Sequence, residues 1–363
     1  MKKGLLLVII SIIIISLVGC TTVVPKEPGN IPQEESNNNK DNENTPKDEE
    51  LTILDYYPFK ENTIMEYEGI GNEYAEQKTF IEFVEGNRAQ MKIMNPGTTF
   101  VKVLEYKNGV LTEIFSEGEF YHIENMLDAA SNSKDIILQE PLEVGTTWLN
   151  TEGNNKKITS IDKSIETPSG TYKALEVTTE LDKGAVRKEY YAKDIGYVAS
   201  IYKDGEFEVK TLLETIDEDE YKMEITAYYP TSEDVGTEYI KREIQFNTND
   251  NIENILENTM KNPPSSKLVA PISKGTTINK LHLNRNSWTL EADFSKELLT
   301  EMNAGSSFET EILKSITNTL GIFYDVDKVY ITIEGEPYES GHYGINEGEY
   351  FKVDTEGIKE FKE

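Results

Sequence analysis

The sequence predicts an α+β chain: an antiparallel β-rich region forming a curved sheet or half-barrel, followed by a small region with two helices on a sheet. Three observations predict it. From residue 51 to 216, short segments alternate apolar and polar residues with a period of two, and turn residues separate them. From 221 onward the period switches between two and 3.6. After the N-terminal residues, no apolar run approaches the ~18 residues of a further membrane segment.

The chain opens Met1-Lys2-Lys3, continues as a Leu/Val/Ile run from Gly4 to Val18, and reaches Cys20 through Leu17, Val18 and Gly19. A basic start, a run of about fifteen apolar residues and a small residue before the cut describe an export signal over residues 1–19. Leu17, Val18, Gly19 and Cys20 look like a bacterial lipobox, in which Cys20 is acylated and becomes the mature N-terminus. An uncleaved anchor with a chance cysteine is the competing reading. It is disfavoured because the single cysteine of 363 residues falls on the lipobox position. Two acyl chains on one sulfur give stable attachment where one holds only marginally. The expected location is therefore the outer face of the cytoplasmic membrane, lipid-anchored through Cys20.

Residues 20–50 read as an acidic tether. The stretch Pro25 to Pro46 lacks aromatics and cannot bury enough surface to offset the entropy of ordering. About 30 such residues span roughly 30 Å, enough to lift a folded body off the headgroups.

In the β-rich region, 51–216, the segments Thr79–Val84, Ala89–Met94, Phe100–Tyr106 and Val110–Phe115 read as strands. Asn108-Gly109 between the last two is a hairpin signal, because a type I′ turn needs positive φ at both central residues. The second half repeats the style at Lys157–Ile161, Ala174–Thr179, Arg187–Ala192, Tyr197–Tyr202 and Glu206–Leu213. A short helix is expected around Ile123–Ala130. The pattern resembles the curved antiparallel sheets of exported lipoproteins that wrap one helix. Such a sheet offers a groove for a lipid or other hydrophobic ligand, or simply buries its apolar face as core. Trp148 falls under the same choice, with core the commoner fate of an aromatic on a strand.

Asp217-Glu218-Asp219-Glu220 reads as a linker or solvated strand end. Beyond it, from 221 to 343, strands are expected at Met223–Pro230, Tyr239–Phe246, Thr277–Leu283, Trp288–Phe294 and Lys328–Gly335. One helix is read from a capping box at Asp250 and Glu253, with Pro263-Pro264 as its stop. A second is read from Ser306 and Glu309, with Gly321 suited to its C-terminal cap. The order β-β-α-β-β-α-β places two helices on one face of a mixed or antiparallel sheet. Residues 344–363 read as a charged tail.

Tyr228-Tyr229-Pro230, Pro271 to Thr276, Glu291 to Ser295, Thr319-Leu320 and Ile333-Glu334-Gly335, in that order, resemble the sporulation and spore germination domain, GerMN, over roughly residues 224–340. The family's Gly-Pro after the first helix is Asn262-Pro263 here. The resemblance implies a non-enzymatic module of the kind that stacks through sheets and helices in sporulation envelope complexes. It also implies a Gram-positive, spore-forming source. The implied partner is an envelope protein or a second copy of the chain.

Asp and Glu number 66 against 36 Lys and Arg, a net charge of −30, which disfavours nucleic acid and anionic lipid as partners of the folded body. His122, His282 and His342 are far apart and lack metal-ligand spacing. Neither a phosphate-binding glycine loop nor a nucleophile elbow occurs, and Asp325-Val326-Asp327 and Asn247 to Asp250 fit no calcium loop. No catalytic residue, cofactor or metal is expected. A cell-wall hydrolase would require carboxylates that converge in space.

Overall fold

The structure, a computed structural model, describes residues 51–362. The expected signal peptide, the lipobox Leu17, Val18, Gly19 and Cys20, and the tether lie outside the described residues. The chain enters through one helical turn, α1 (Ile53–Tyr56), then forms β1 (Thr63–Ile70), β2 (Gln77–Glu85), β3 (Arg88–Met94), β4 (Thr99–Lys107), β5 (Val110–Gly118) and β6 (Asp135–Gln139). A second run follows: β7 (Thr147–Leu149), β8 (Asn155–Thr167), β9 (Gly170–Glu180), β10 (Val186–Ala192), β11 (Gly196–Asp204) and β12 (Phe207–Glu218).

These twelve strands form one antiparallel sheet in the order β6-β5-β4-β3-β2-β1-β12-β11-β10-β9-β8-β7. The first and last strands pair at its centre, with Thr63 opposite Glu218 and Ile70 opposite Lys210. The two outermost strands, β6 and β7, are therefore neighbours in sequence. The sheet curls until they meet without a ladder: Trp148 Nε1 donates to the Ile136 carbonyl at 3.0 Å, and Thr151 N donates to Asp135 Oδ1 at 2.9 Å. Leu104, Leu111 and Leu138 from one end share a core with Trp148, Ile158, Leu175 and Val177 from the other. The result is a nearly closed barrel, and Trp148 serves as its seam. Ile53 and Tyr56 of α1 pack into that same core and plug it.

Asn108 and Gly109 adopt φ of 54° and 73°, the left-handed pair the hairpin between β4 and β5 requires. The short helix expected at Ile123–Ala130 does not form; the segment is irregular. Its backbone is taken by side chains of β3 instead. Lys92 Nζ donates to the carbonyls of Phe120 and His122, Gln90 Nε2 donates to that of Glu124, and Met126 N donates to Gln90 Oε1. These bonds hold the segment in its irregular path.

The C-terminal region comprises β13 (Tyr221–Pro230), β14 (Thr237–Phe246), α2 (Ile252–Lys261), β15 (Ile278–Asn284), β16 (Thr289–Phe294), α3 (Glu297–Thr300), α4 (Ser306–Tyr324), β17 (Lys328–Ile333) and three two-residue strands, β18 (Glu336–Pro337), β19 (Phe351–Lys352) and β20 (Lys359–Glu360). Its strands fall into two sheets: β13-β14-β20, and β15-β16-β17-β18 with β19 beside β17. The residues after 344 thus return to both sheets, and Lys314 Nζ meets Asp354 Oδ2 at 2.8 Å.

Both helix starts differ in detail from the expected capping boxes. Asn251, one residue on from Asp250, caps α2 by accepting from Asn254 N at 2.7 Å, while Asp250 accepts from Asn247 N. Gly305 is the N-cap of α4, and Glu309 is buried, accepting from the Tyr338 hydroxyl at 2.8 Å. Gly321 lies inside α4 rather than at its end, and Asp325 in the left-handed region closes the helix. A Cβ at 321 would sit 2.2 Å from Val353 Cγ2 and 2.9 Å from the Val326 carbonyl oxygen, so the glycine permits a close approach.

Candidate functional site

Strands β2 to β5 present two faces with different chemistry. One face turns into the barrel and bounds a cavity of about 180 Å³. Its apolar lining includes Met65, Ile81, Met91, Ile93, Leu104 and Ile137, with Tyr57, Tyr67, Tyr191 and Tyr197 forming an aromatic wall. The ring centroids of Tyr57 and Tyr191 are 6.0 Å apart, and those of Tyr191 and Tyr197 are 5.8 Å apart. Burial, reinforced by the carboxylate of Glu189, pushes the phenols of Tyr57 and Tyr191 well up, so both remain protonated donors at neutral pH.

Glu113 and Glu189 also line the cavity. Each is committed to a lysine: Lys102 Nζ lies 2.7 Å from Glu113 and Lys156 Nζ 2.9 Å from Glu189. Neither presents a free carboxyl to a substrate.

The other face packs against the C-terminal region. Phe80, Phe83, Val101, Val103 and Phe115 belong to one continuous core with Tyr221, Phe246, Leu283, Ile316 and Tyr324. Embedded in it is a charged network. Glu82, Gln90 and Lys92 are each 0% exposed. Lys92 Nζ lies 3.1 Å from Glu82 Oε1, too far off axis to count as a hydrogen bond to that oxygen, while Gln90 Nε2 donates to Glu82 Oε2 at 2.7 Å. The network continues across the boundary, where Arg285 donates to Glu117 Oε2 and Glu124 Oε2, both at 2.9 Å.

The histidines, separate in sequence, do not all stay separate in space. His122 Nε2 is 3.4 Å from Glu124 Oε2, and His282 Nδ1 is 3.7 Å from Glu124 Oε1. His342 is exposed in a turn. Burial lowers the His122 pKa against the pull of Glu124. Burial alone would raise that of Glu124, but hydrogen bonds from His122 and Arg285 hold it below the usual carboxylate range. Sequence reasoning missed this cluster because Glu124 and Arg285 stand 161 positions apart and no local motif joins them. Among the described residues no three His, Cys, Asp or Glu side chains converge as a metal site.

Arg285 also positions a surface feature. It anchors the start of the turn between β15 and β16, whose end is Trp288, at φ 49° and 56% exposed. Next to it, on the last turn of α4, Ile322 is 44% exposed. These two residues, with Asp325, Asp327, Lys328 and Val353, border a groove of about 340 Å³.

Comparisons with known proteins find several likenesses. The tandem GerMN domains of the sporulation protein GerM from Bacillus subtilis are 20% identical over 37% of this chain and 46% of theirs, with a TM-score of 0.29. This chain thus spans less than half of that structure. The first GerMN domain of the same protein is 21% identical over 34% of this chain and 94% of its own, with a TM-score of 0.27. A candidate lipoprotein from Parabacteroides distasonis is 15% identical over 45% of this chain and 98% of its own, with a TM-score of 0.29. No curated protein matches the chain. Residues 226–339, the segment in which the ordered motifs from Tyr228 to Gly335 fall, match the Germane family, described as sporulation and spore germination.

Proposed function

We propose that the protein is a lipid-anchored, extracytoplasmic, non-enzymatic assembly module acting in sporulation or spore germination. It is held to the outer face of the cytoplasmic membrane through acyl chains on Cys20, and binds an envelope protein partner or a second copy through the Trp288–Ile322 face. The single observation that carries this reading is Trp288. Trp288 has more than half its surface in solvent, adjoins the exposed Ile322, and is held in a backbone conformation that bulky residues rarely adopt. Tryptophan is also among the residues that dominate interface energetics. The match of residues 226–339 to the Germane family supports the biological setting.

The test is photo-cross-linking from a probe at position 288 in cells. A discrete adduct, lost with Ile322→Asp while the melting temperature stays within a degree or two, is expected. Fractionation of Cys20→Ser tests the anchor: the variant should leave the membrane or persist as an unprocessed precursor. Wild-type processing of that variant would remove the anchor from the account.

A second reading, binding of a hydrophobic ligand within the β-rich region, is favoured by one observation: the inner face of the barrel leaves an open cavity rather than a fully packed core.

A further inference from the structure

The cavity inside the twelve-stranded sheet offers more hydrogen-bond donors than the protein itself uses. Tyr191 is 1% exposed, and its hydroxyl makes no hydrogen bond among the described residues, although the side chain lines the cavity. The Tyr57 hydroxyl has only Met91 Sδ, at 4.0 Å, and a thioether is a weak acceptor. Lys60 lines the same cavity and forms no ion pair or hydrogen bond among the described residues. The other charges there are matched, Lys102 by Glu113 and Glu189 by Lys156. Glu113 also accepts from Ser133 Oγ at 2.9 Å. What remains without a strong partner, beside an apolar wall, includes the Lys60 ammonium, the phenols of Tyr57 and Tyr191 and the Gln77 amide. An acceptor group brought by a ligand can pair with these donors.

Size narrows the ligand further. The cavity, about 180 Å³, is slightly larger than the ~150 Å³ apolar cavity that admits benzene. It accommodates one ring or a short alkyl chain.

Resting on the hydrophobic-ligand reading, we infer that this cavity binds a small amphiphile: a short alkyl or aryl group ending in a hydrogen-bond-accepting anion such as a carboxylate. Lys60 and the hydroxyls of Tyr57 and Tyr191 receive the anion, and Ile81, Met91, Ile93 and Leu104 receive the apolar part.

The probe pair is octanoate and 1-octanol, titrated calorimetrically into the full chain carrying Cys20→Ser, with thermal unfolding run on every variant to show that it is folded. Octanoate should bind the wild-type cavity. Lys60→Gln should weaken octanoate about tenfold, the scale of one charge-assisted hydrogen bond, and leave 1-octanol unchanged. Tyr191→Phe keeps the ring and should also weaken octanoate selectively. Met91→Trp, which fills the cavity, should abolish both. If both probes bind and neither Lys60→Gln nor Tyr191→Phe changes their ratio, the anionic head group is refuted while the hydrophobic-ligand reading stands. If neither probe binds wild type, or if Met91→Trp binds as wild type does, that reading fails and takes the inference with it.

Discussion

Both faces of β2 to β5 border paired charges, and the cavity face also borders polar groups without a strong partner. Facing the C-terminal region, Glu82, Gln90 and Lys92 are bound to one another or to the backbone carbonyls of Phe120, His122 and Glu124, and Arg285 reaches the Glu124 carboxylate from across the boundary. Facing the cavity, Tyr57, Tyr191 and Lys60 have weak partners or none. A buried charge that is paired and hydrogen-bonded fixes geometry, and breaking it is costly. A donor left open toward a cavity contributes little to the fold and is available to something else. One face of the sheet is therefore structural, with Arg285 tying the C-terminal region to it, while the other borders the cavity.

Variants can break or sharpen that contrast. The largest effect is expected from Lys92→Met, which leaves the Glu82 carboxylate buried without a cation; the loss should be ~3–5 kcal/mol in a urea titration. A loss under ~1 kcal/mol would mean that the pair is not a structural element. Arg285→Ala should cost about 2 kcal/mol, since Glu117 and Glu124 both lose their guanidinium. Adding Glu124→Gln should recover part of that loss, and strict additivity of the two changes would contradict the network.

Acidification is expected to act next, and on the structural face. His122 and Glu124 both have folded-state pKa values below their ordinary values of 6.5 and 4.5. The unfolded chain therefore binds protons first as pH falls. Stability present at neutral pH should begin to decline below about 6.5 and fall more steeply below about 4.5. The groups around His122 that set this response are Glu124, Lys92 and Arg285, with the Tyr324 ring packed 4.9 Å away. A urea midpoint that is flat between pH 7 and 5 would contradict the assignment. The smallest effect belongs to the cavity face: Tyr191→Phe should change stability by less than ~0.5 kcal/mol, because no internal hydrogen bond is lost.

Local features of this fold were legible in the sequence, and long-range ones were not. Asn108-Gly109 announced its hairpin, and the two amphipathic helices were recognisable from their spacing. The near-closure of the sheet depends on β1 pairing with β12 and on Trp148 reaching Ile136, and neither is encoded in a local period. Strands β1, β6 and β7 escaped notice because they are short or irregularly patterned. Ile123–Ala130 carries an apolar pattern suited to a helix, yet Gln90 binds its backbone at Glu124 and Met126, and Lys92 fixes the carbonyls of Phe120 and His122 just before it. Gly321 read as a helix end because the approach of Val353 to that helix cannot be foreseen from spacing. The cavity was legible only as an alternative to a packed core, since the same alternation of residues produces both.

The structural face matters for function because it pins the turn that displays Trp288. Arg285, at the start of that turn, is fixed by Glu117 and Glu124, so the turn presents Trp288 beside Ile322 of α4. The most direct test of the account is therefore cross-linking from position 288 in the membrane-anchored protein. A discrete adduct with an envelope protein or a second copy, lost in Ile322→Asp and weakened in Arg285→Ala, is the predicted result. A folded, anchored protein that gives no adduct from position 288, or one indifferent to Ile322→Asp, would contradict it.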